Sequence, residues 1–140
     1  MPQKIVFMGT PEFSVPTLDA LINSKHKILA VYSQPASKAN RGQKKVPSQI
    51  EIFAKEKSLK LRTPENLNNE EEYNFFKKIS PDIVVVVAYG QIIPTNYLNL
   101  PKNGFINIHA SLLPKWRGAA PIQRSIINLD KETGISIMKI

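Results

Sequence analysis

The sequence predicts an α/β fold, a mostly parallel sheet with helices on both faces. Three observations predict it. Short apolar runs alternate with segments of helical periodicity along the chain. One of those runs, Asp82–Ala88 (DIVVVVA), is apolar and β-branched almost throughout, as a central parallel strand covered on both faces must be. Repeated strand–helix alternation builds a parallel sheet through right-handed crossovers. In such sheets ligands bind beyond the carboxyl ends of the strands. The functional search therefore falls on four places, after Met8, after Ser33, after Ala88 and after His109.

Taken in order, Lys4–Met8 (KIVFM) reads as the first strand. Ser14–Ser24 reads as a helix, with Ser14 at the N-cap, Pro16 in the first turn, where its missing N–H costs nothing, and Leu18, Leu21 and Ile22 at helical spacing. Lys27–Ser33 is the second strand, and Gln34–Val46 a polar, basic loop. Pro47–Ser58 is the second helix, with Ile50, Phe53 and Ala54 on one face. Leu59–Arg62 is a short third strand. Asn69–Ile79 is a helix, acidic at its start (Glu70, Glu71, Glu72) and basic at its end (Lys77, Lys78), which suits the helix dipole. After the strand at Asp82–Ala88 come a fifth strand at Phe105–His109, a helix at Ala120–Leu129 and a sixth strand at Gly134–Ile140. The chain stops inside that strand, and the expectation is one domain over residues 1–140 that is truncated in or just after it.

The 140 residues suffice for one domain with a real core. At 42% hydrophobic and 21% charged residues, the composition is that of a globular chain rather than a disordered one. No apolar run approaches the roughly 18–20 residues needed to span a bilayer, and Met1–Phe7 lacks the features of a signal peptide. The absence of cysteine excludes disulfides and Cys-ligated zinc and fits the cytoplasm. The net charge of +8 fits either a polyanionic partner such as RNA or ordinary solvated lysines.

After the first strand, Met8–Phe13 carries only Gly9, whereas a dinucleotide-binding turn needs three glycines at G-x-G-x-x-G spacing. Glu12 adds a negative charge where a pyrophosphate would sit, so that function is rejected. The loop after the second strand holds Lys38, Arg41, Lys44 and Lys45 and no acid, and either grips phosphates or is a solvated surface. Ala88–Pro94 turns at Gly90 beside the ligand crevice, with Tyr89 either a core aromatic or a ligand contact. In Phe105–His109, Asn107 and His109 are two apart and so share one face of a strand, while Ile106 and Ile108 face the core. An amide that donates to a developing oxyanion, beside an imidazole that moves a proton near neutral pH, suits addition to a carbonyl.

The string from Asn107 to Gly118, N-I-H-A-S-L-L-P-K-W-R-G, resembles the signature of the 10-formyltetrahydrofolate-dependent formyltransferases, which share a Rossmann-like fold. Four further strings resemble the methionyl-tRNA branch of that family. They are R-G-A-A-P-I-Q-R-S at Arg117–Ser125, M-G-T-P-E-F at Met8–Phe13, the Q-P…R-G-Q-K-K loop, and V-V-A-Y-G at Val86–Gly90. The resemblance covers essentially the whole chain. It implies transfer of a formyl group from 10-formyltetrahydrofolate to the α-amine of initiator methionyl-tRNA, for translation initiation.

Carried over by residue, the resemblance implies Asn107 and His109 as the catalytic pair. Ser111, Leu112, Leu113 and Pro114 would form a folate-contacting turn, and Gln91 and Ile93 would line the pterin pocket. Arg41 would reach the tRNA acceptor end, helped by Lys38, Lys44 and Lys45. It implies no metal, no membrane and a monomer when complete; His26, the other histidine, reads as a surface residue at a turn. The family's third catalytic residue, an Asp after the sixth strand, and the branch's carboxyl-terminal barrel-like tRNA-binding domain fall beyond this chain, so the fragment alone is expected to be inactive. The alternatives are transfer to another amine, an amino-sugar nucleotide or glycinamide ribonucleotide, and a non-catalytic folate- or RNA-binding fragment.

Overall fold

The structure is a computed structural model that describes residues 2–38, 44–109 and 136–140. The strands are β1 (Lys4–Gly9), β2 (Lys27–Tyr32), β3 (Ser37–Lys38), β4 (Lys45–Val46), β5 (Leu61–Arg62), β6 (Ile83–Val87), β7 (Phe105–His109) and β8 (Ser136–Lys139). The helices are α1 (Val15–Ile22), α2 (Gln49–Glu56), α3 (Glu70–Ile79) and α4 (Thr95–Leu98). Six strands form one sheet in the order β5-β2-β1-β6-β7-β8, and β3 and β4 form a separate antiparallel ribbon. The helix expected at Ala120–Leu129 lies outside the described residues.

Strand alternation sorts the core into two layers. On one face Val6, Met8, Ala30, Tyr32, Val84, Val86 and Phe105 pack with Phe76 of α3 and Tyr97 of α4. On the other, Ile5, Phe7, Val31, Val85 and Val87 pack with Leu18 of α1 and with Ile50 and Ala54 of α2. Helices thus cover both faces, and β1 and β6 are buried along almost their whole length. Each fully buried aliphatic or aromatic side chain of this kind contributes about 1.5–3 kcal/mol, which makes the β1–β6 pair the rigid centre.

Local chemistry sets the helix starts. Ser48 caps α2, its hydroxyl accepting from the Glu51 N–H at 2.9 Å. Asn69 caps α3 by accepting from the Glu72 N–H at 2.8 Å. Glu72 turns its carboxylate across to β5, where both oxygens accept from Arg62 at 2.8 Å, and the Arg62 guanidinium also stacks on Phe75 at 4.0 Å. Ser14 departs from its expected role. A 3-10 turn at Glu12–Ser14 precedes α1 and holds Ser14 in helical geometry, so its hydroxyl makes no cap. It reaches over β1 instead and donates to the Val87 carbonyl at 2.5 Å.

Four further points differ from the expectation. The expected Gln34–Val46 loop contains the β3–β4 ribbon, which pairs Ser37 with Val46 and Lys38 with Lys45. α4 has four residues, too few for a periodicity to show. The last pairing, β7 with β8, is antiparallel, and places Ser136 opposite His109. Strand periodicity encodes which face a residue takes but not the direction of its strand, so alternation alone points to a parallel neighbour. His26 is half-buried rather than a bare surface residue, and its Nδ1 accepts from the Gln3 N–H at 2.8 Å.

Gly9 is required by close approach. A Cβ there would lie 2.8 Å from the Phe7 ring, 2.9 Å from the Ser14 Cβ and 2.9 Å from the Val87 carbonyl oxygen. Gly9→Ala is expected to cost about 1–3 kcal/mol through overpacking and to lower Tm by about 5–10 °C. Thermal denaturation followed by circular dichroism measures this, and an unchanged Tm would contradict the close approach.

The phenols of Tyr32, Tyr89 and Tyr97 are all held above the ordinary tyrosine value, by burial first and by the charge of Glu72 second. Tyr97 is pushed up to about 12. The Tyr32 hydroxyl is buried with no hydrogen-bond partner among the described residues. The unfolded chain releases these protons near the ordinary value of 10.0 while the native state keeps them. Their contribution to stability is therefore intact below pH 10.0 and falls as pH rises above it, that of Tyr97 being lost by about 12 and those of Tyr32 and Tyr89 at higher pH still. Urea midpoints are expected to fall steeply across that window, with tyrosinate absorbance from these rings appearing together with unfolding; a flat midpoint would count against the buried phenols.

Candidate active site

The strand order places a topological switch at β1. The chain runs outward from β1 to β2 and β5, then returns to β6 on the other side of β1 and continues to β7. In open α/β sheets the carboxyl edge beside such a switch is where ligands bind. Here the loops at that edge are tied to one another. The Thr10 hydroxyl donates to the Tyr89 carbonyl at 2.7 Å, and the same carbonyl accepts from the Gln34 side-chain amide at 3.1 Å. The Gln34 N–H donates to the Thr10 hydroxyl at 3.3 Å, and the Ile50 N–H, in the first turn of α2, donates to the Thr10 carbonyl at 3.3 Å. Segments after β1, β2 and β6 and the start of α2 therefore form one platform.

Asn107 and His109 stand at the carboxyl end of β7, both half-buried. Phe105, two residues before Asn107, is buried in the layer covered by α3 and α4, while Ile106 and Ile108 pack into the opposite layer. By alternation Asn107 and His109 share the face of Phe105. Asn107 is in register with Val86, the last β6 partner, and with Met138. His109 extends past that last β6 partner and pairs with Ser136 of β8. The pair thus sits where one wall of the sheet stops, beside the segment that leaves β6. An amide donor and an imidazole in that position can stabilise an oxyanion and move a proton.

The segment after β6 is held in an unusual backbone shape. Ala88 has φ 52 and Gly90 φ 85, and a left-handed non-glycine residue costs roughly 1–2 kcal/mol. Tyr89 is core, 2% exposed. Its hydroxyl donates to Gln91 Oε1 at 3.1 Å, and Gln91 Nε2 donates to the Pro64 carbonyl at 2.9 Å. Gln91 thus fastens the segment to the β5 side. Ile93 packs against the core layer. Ile92, between them, is 85% exposed, the most exposed large apolar side chain among the described residues. The sequence offered no sign of this, because consecutive apolar positions in a loop carry no periodicity.

The basic loop is described in part. Lys44 and Lys45 are exposed, and Lys38 and Lys45 are ladder partners in the ribbon. Arg41 lies outside the described residues, as do Ser111, Leu112, Leu113 and Pro114. A cavity of about 230 Å³ between the ribbon and the β1 turn is lined by Thr10, Gln34, Pro35, Ser37, Val46 and Pro47 among others. No group of three or more His, Cys, Asp or Glu residues that could hold a metal occurs among the described residues, and none of their helices is long and apolar enough to cross a membrane.

The chain matches the formyl transferase family over residues 3–140. It is 63% identical over 141 residues to a methionyl-tRNA formyltransferase from Pelagibacter ubique, covering 100% of this chain and 46% of the relative. It is 53% identical over 137 residues to a methionyl-tRNA formyltransferase from Methylococcus capsulatus, covering 98% and 44%. The chain thus spans a little under half the length of these curated relatives. Among solved structures, a phosphoribosylglycinamide formyltransferase from Anaplasma phagocytophilum aligns with a TM-score of 0.74 at 18% identity, over 100% of this chain and 65% of that one. A formyltetrahydrofolate deformylase from Pseudomonas syringae aligns with a TM-score of 0.73 at 20% identity, over 100% and 46%. At those identities the structural likeness speaks for the fold, while the family match runs through β1 to β8 and takes in the Asn107–His109 edge. The chain belongs to the formyl transferase family.

Proposed function

We propose that this chain carries the donor-binding and catalytic part of a methionyl-tRNA formyltransferase, transferring the formyl group of 10-formyltetrahydrofolate to the α-amine of initiator methionyl-tRNA in the cytoplasm. The observation that carries this reading is the 63% identity over the whole chain to a protein of that name, combined with an amide and an imidazole on one face at the carboxyl edge of β7. Membership of the family supplies the reaction class, and a folate-derived donor follows from it. The acceptor rests on the relatives' names.

The amine nitrogen attacks the formyl carbon, a C–N bond forms and the carbonyl oxygen takes up negative charge. The Asn107 side-chain amide and His109 donate to that oxygen. Collapse breaks the bond from the formyl carbon to N10 of the folate, and the proton lost by the amine ends on N10, carried by His109 in this reading. Ile92, exposed on the segment after β6, and Ile93 offer the apolar surface for the flat pterin. Ser111, Leu112, Leu113 and Pro114 close the folate site in this reading. Lys38, Arg41, Lys44 and Lys45 take the phosphates of the acceptor in this reading. No step calls for a metal, and the monomer suffices.

Asn107→Ala and His109→Ala in the whole protein are each expected to lower kcat about 10²–10³-fold, the usual loss for one oxyanion donor, with circular dichroism unchanged. Full turnover in either would remove the residue from the site. Formyl transfer is read as formyl-methionyl-tRNA on acid gels. If folate binds and no product forms with methionyl-tRNA, the acceptor is wrong, and an amino-sugar nucleotide or glycinamide ribonucleotide is tried next.

Lys44→Ala combined with Lys45→Ala is expected to weaken tRNA binding and to flatten its dependence on salt, by about 0.7–0.9 in log–log slope for each phosphate that the variant no longer neutralises. Filter binding at several potassium chloride concentrations measures it, and an unchanged slope would return the loop to a solvated surface.

A further inference from the structure

The densest hydrogen bonding at the carboxyl edge involves a residue that neither the catalytic pair nor the basic charges account for. Gln34 is the second residue after β2 and opens the segment that leads into the basic ribbon. It is bonded twice to the platform. Its N–H donates to the Thr10 hydroxyl, that hydroxyl donates to the Tyr89 carbonyl, and the Gln34 Nε2 donates to the same carbonyl. The ring closes only with the NH2 end of the amide facing Tyr89, since a carbonyl oxygen cannot donate. Gly90 makes room for it. A Cβ on Gly90 would lie 1.9 Å from Gln34 Nε2, so the amide nitrogen fills the space that a side chain there would take. On its far side the Tyr89 hydroxyl runs through Gln91 to Pro64. The segment after β6, with its left-handed Ala88 and Gly90, is therefore held from both flanks, and Gln34 is the flank that belongs to the basic loop.

We propose that Gln34 is a positioning residue that holds the segment after β6 in its donor-binding shape and, through its place at the root of the basic loop, links binding of the RNA acceptor to binding of the folate donor. This rests on the proposed function for the identity of the two ligands. The physical reason is shared order. A ligand that fixes the loop root fixes Gln34, and a fixed Gln34 removes freedom from Ala88–Pro94 that the folate would otherwise have to remove itself. Such linkage is reciprocal, so each ligand tightens the other by the same factor. A cavity of about 230 Å³ is lined by Thr10, Gln34 and Pro35 on one side and by Ser37 and Val46 of the ribbon on the other, so a shift of the ribbon is felt at Gln34.

The test uses two ligands that do not react with each other, tetrahydrofolate and deacylated initiator tRNA, with the full chain. Fluorescence titration gives the tetrahydrofolate Kd with and without saturating tRNA. In the parent protein tRNA is expected to tighten the folate about fivefold or more. In Gln34→Met, which keeps the length and packing and loses the donor, the effect is expected to fall below about twofold while each ligand alone still binds. Thr10→Val, which removes the other donor to Tyr89, is expected to do the same and gives the answer if Gln34→Met does not fold. A side chain with a purely structural role would lower Tm and leave the ratio of the two Kd values as it was. Full linkage in a folded variant, or its absence in the parent protein with both ligands bound, overturns the proposal and leaves the proposed function standing. Failure of either ligand to bind the parent overturns both.

Discussion

The Tyr89 carbonyl accepts from Thr10 and Gln34, and together with the Ser14 hydroxyl on the Val87 carbonyl it closes the seam between β1 and β6. At that seam the sheet reverses its direction of growth, so no crossover bridges it locally, and chains leaving adjacent strands diverge to opposite faces. Backbone carbonyls at the ends of β6 would face that gap without ladder partners, and buried carbonyls of this kind need donors. Side chains from the β1 turn supply them. The same bonds fix the direction in which the segment after β6 leaves the sheet, and hence the surface it presents beside Asn107 and His109. Gly9 belongs to this arrangement, since its missing side chain is what lets the turn lie close enough for Ser14 to reach across.

Much of this was legible in the sequence, and what was legible was local. The β-branched run of β6, the bounds of β7 and the acidic start of α3 each announce themselves within a few residues. So does the shared face of Asn107 and His109, because strand alternation needs no tertiary knowledge. The platform was not legible, because its partners are far apart in the chain: Thr10 and Tyr89 are separated by 79 positions, and Gln34 and Tyr89 by 55. Nothing in the neighbourhood of Gln34 distinguishes it from any other polar loop residue. Ser14 looks like a cap because serine is favoured before a helix, whereas the 3-10 turn brings its hydroxyl to the Val87 carbonyl, 73 positions away.

Gln91 shows how a reading by position differs from a reading by contact. The resemblance places it in the pterin pocket, while the structure commits its amide to Tyr89 and Pro64, leaving Ile92 as the side chain that faces outward. The two accounts meet if Gln91 shapes the segment and its neighbours do the touching. The Arg62–Glu72 pair plays a comparable part on the β5 side. Glu72 is held by Arg62 and by the start of α3 at once, which ties the loop carrying Pro64 to a helix rather than leaving it to solvent.

The antiparallel pairing of β7 with β8 has one more consequence. His109 and Ser136 bound the stretch 110–135, and the ladder sets them opposite one another. The two ends of that stretch are pinned about one strand spacing apart, whatever lies between them. Lengthening a closed stretch costs little, about 0.6 kcal/mol for each doubling, and its pinned ends pass none of the change on to the sheet. The register of His109 is therefore set by the ladder it shares with Ser136, and a change of length between those two positions need not move Asn107 or His109 along their strand.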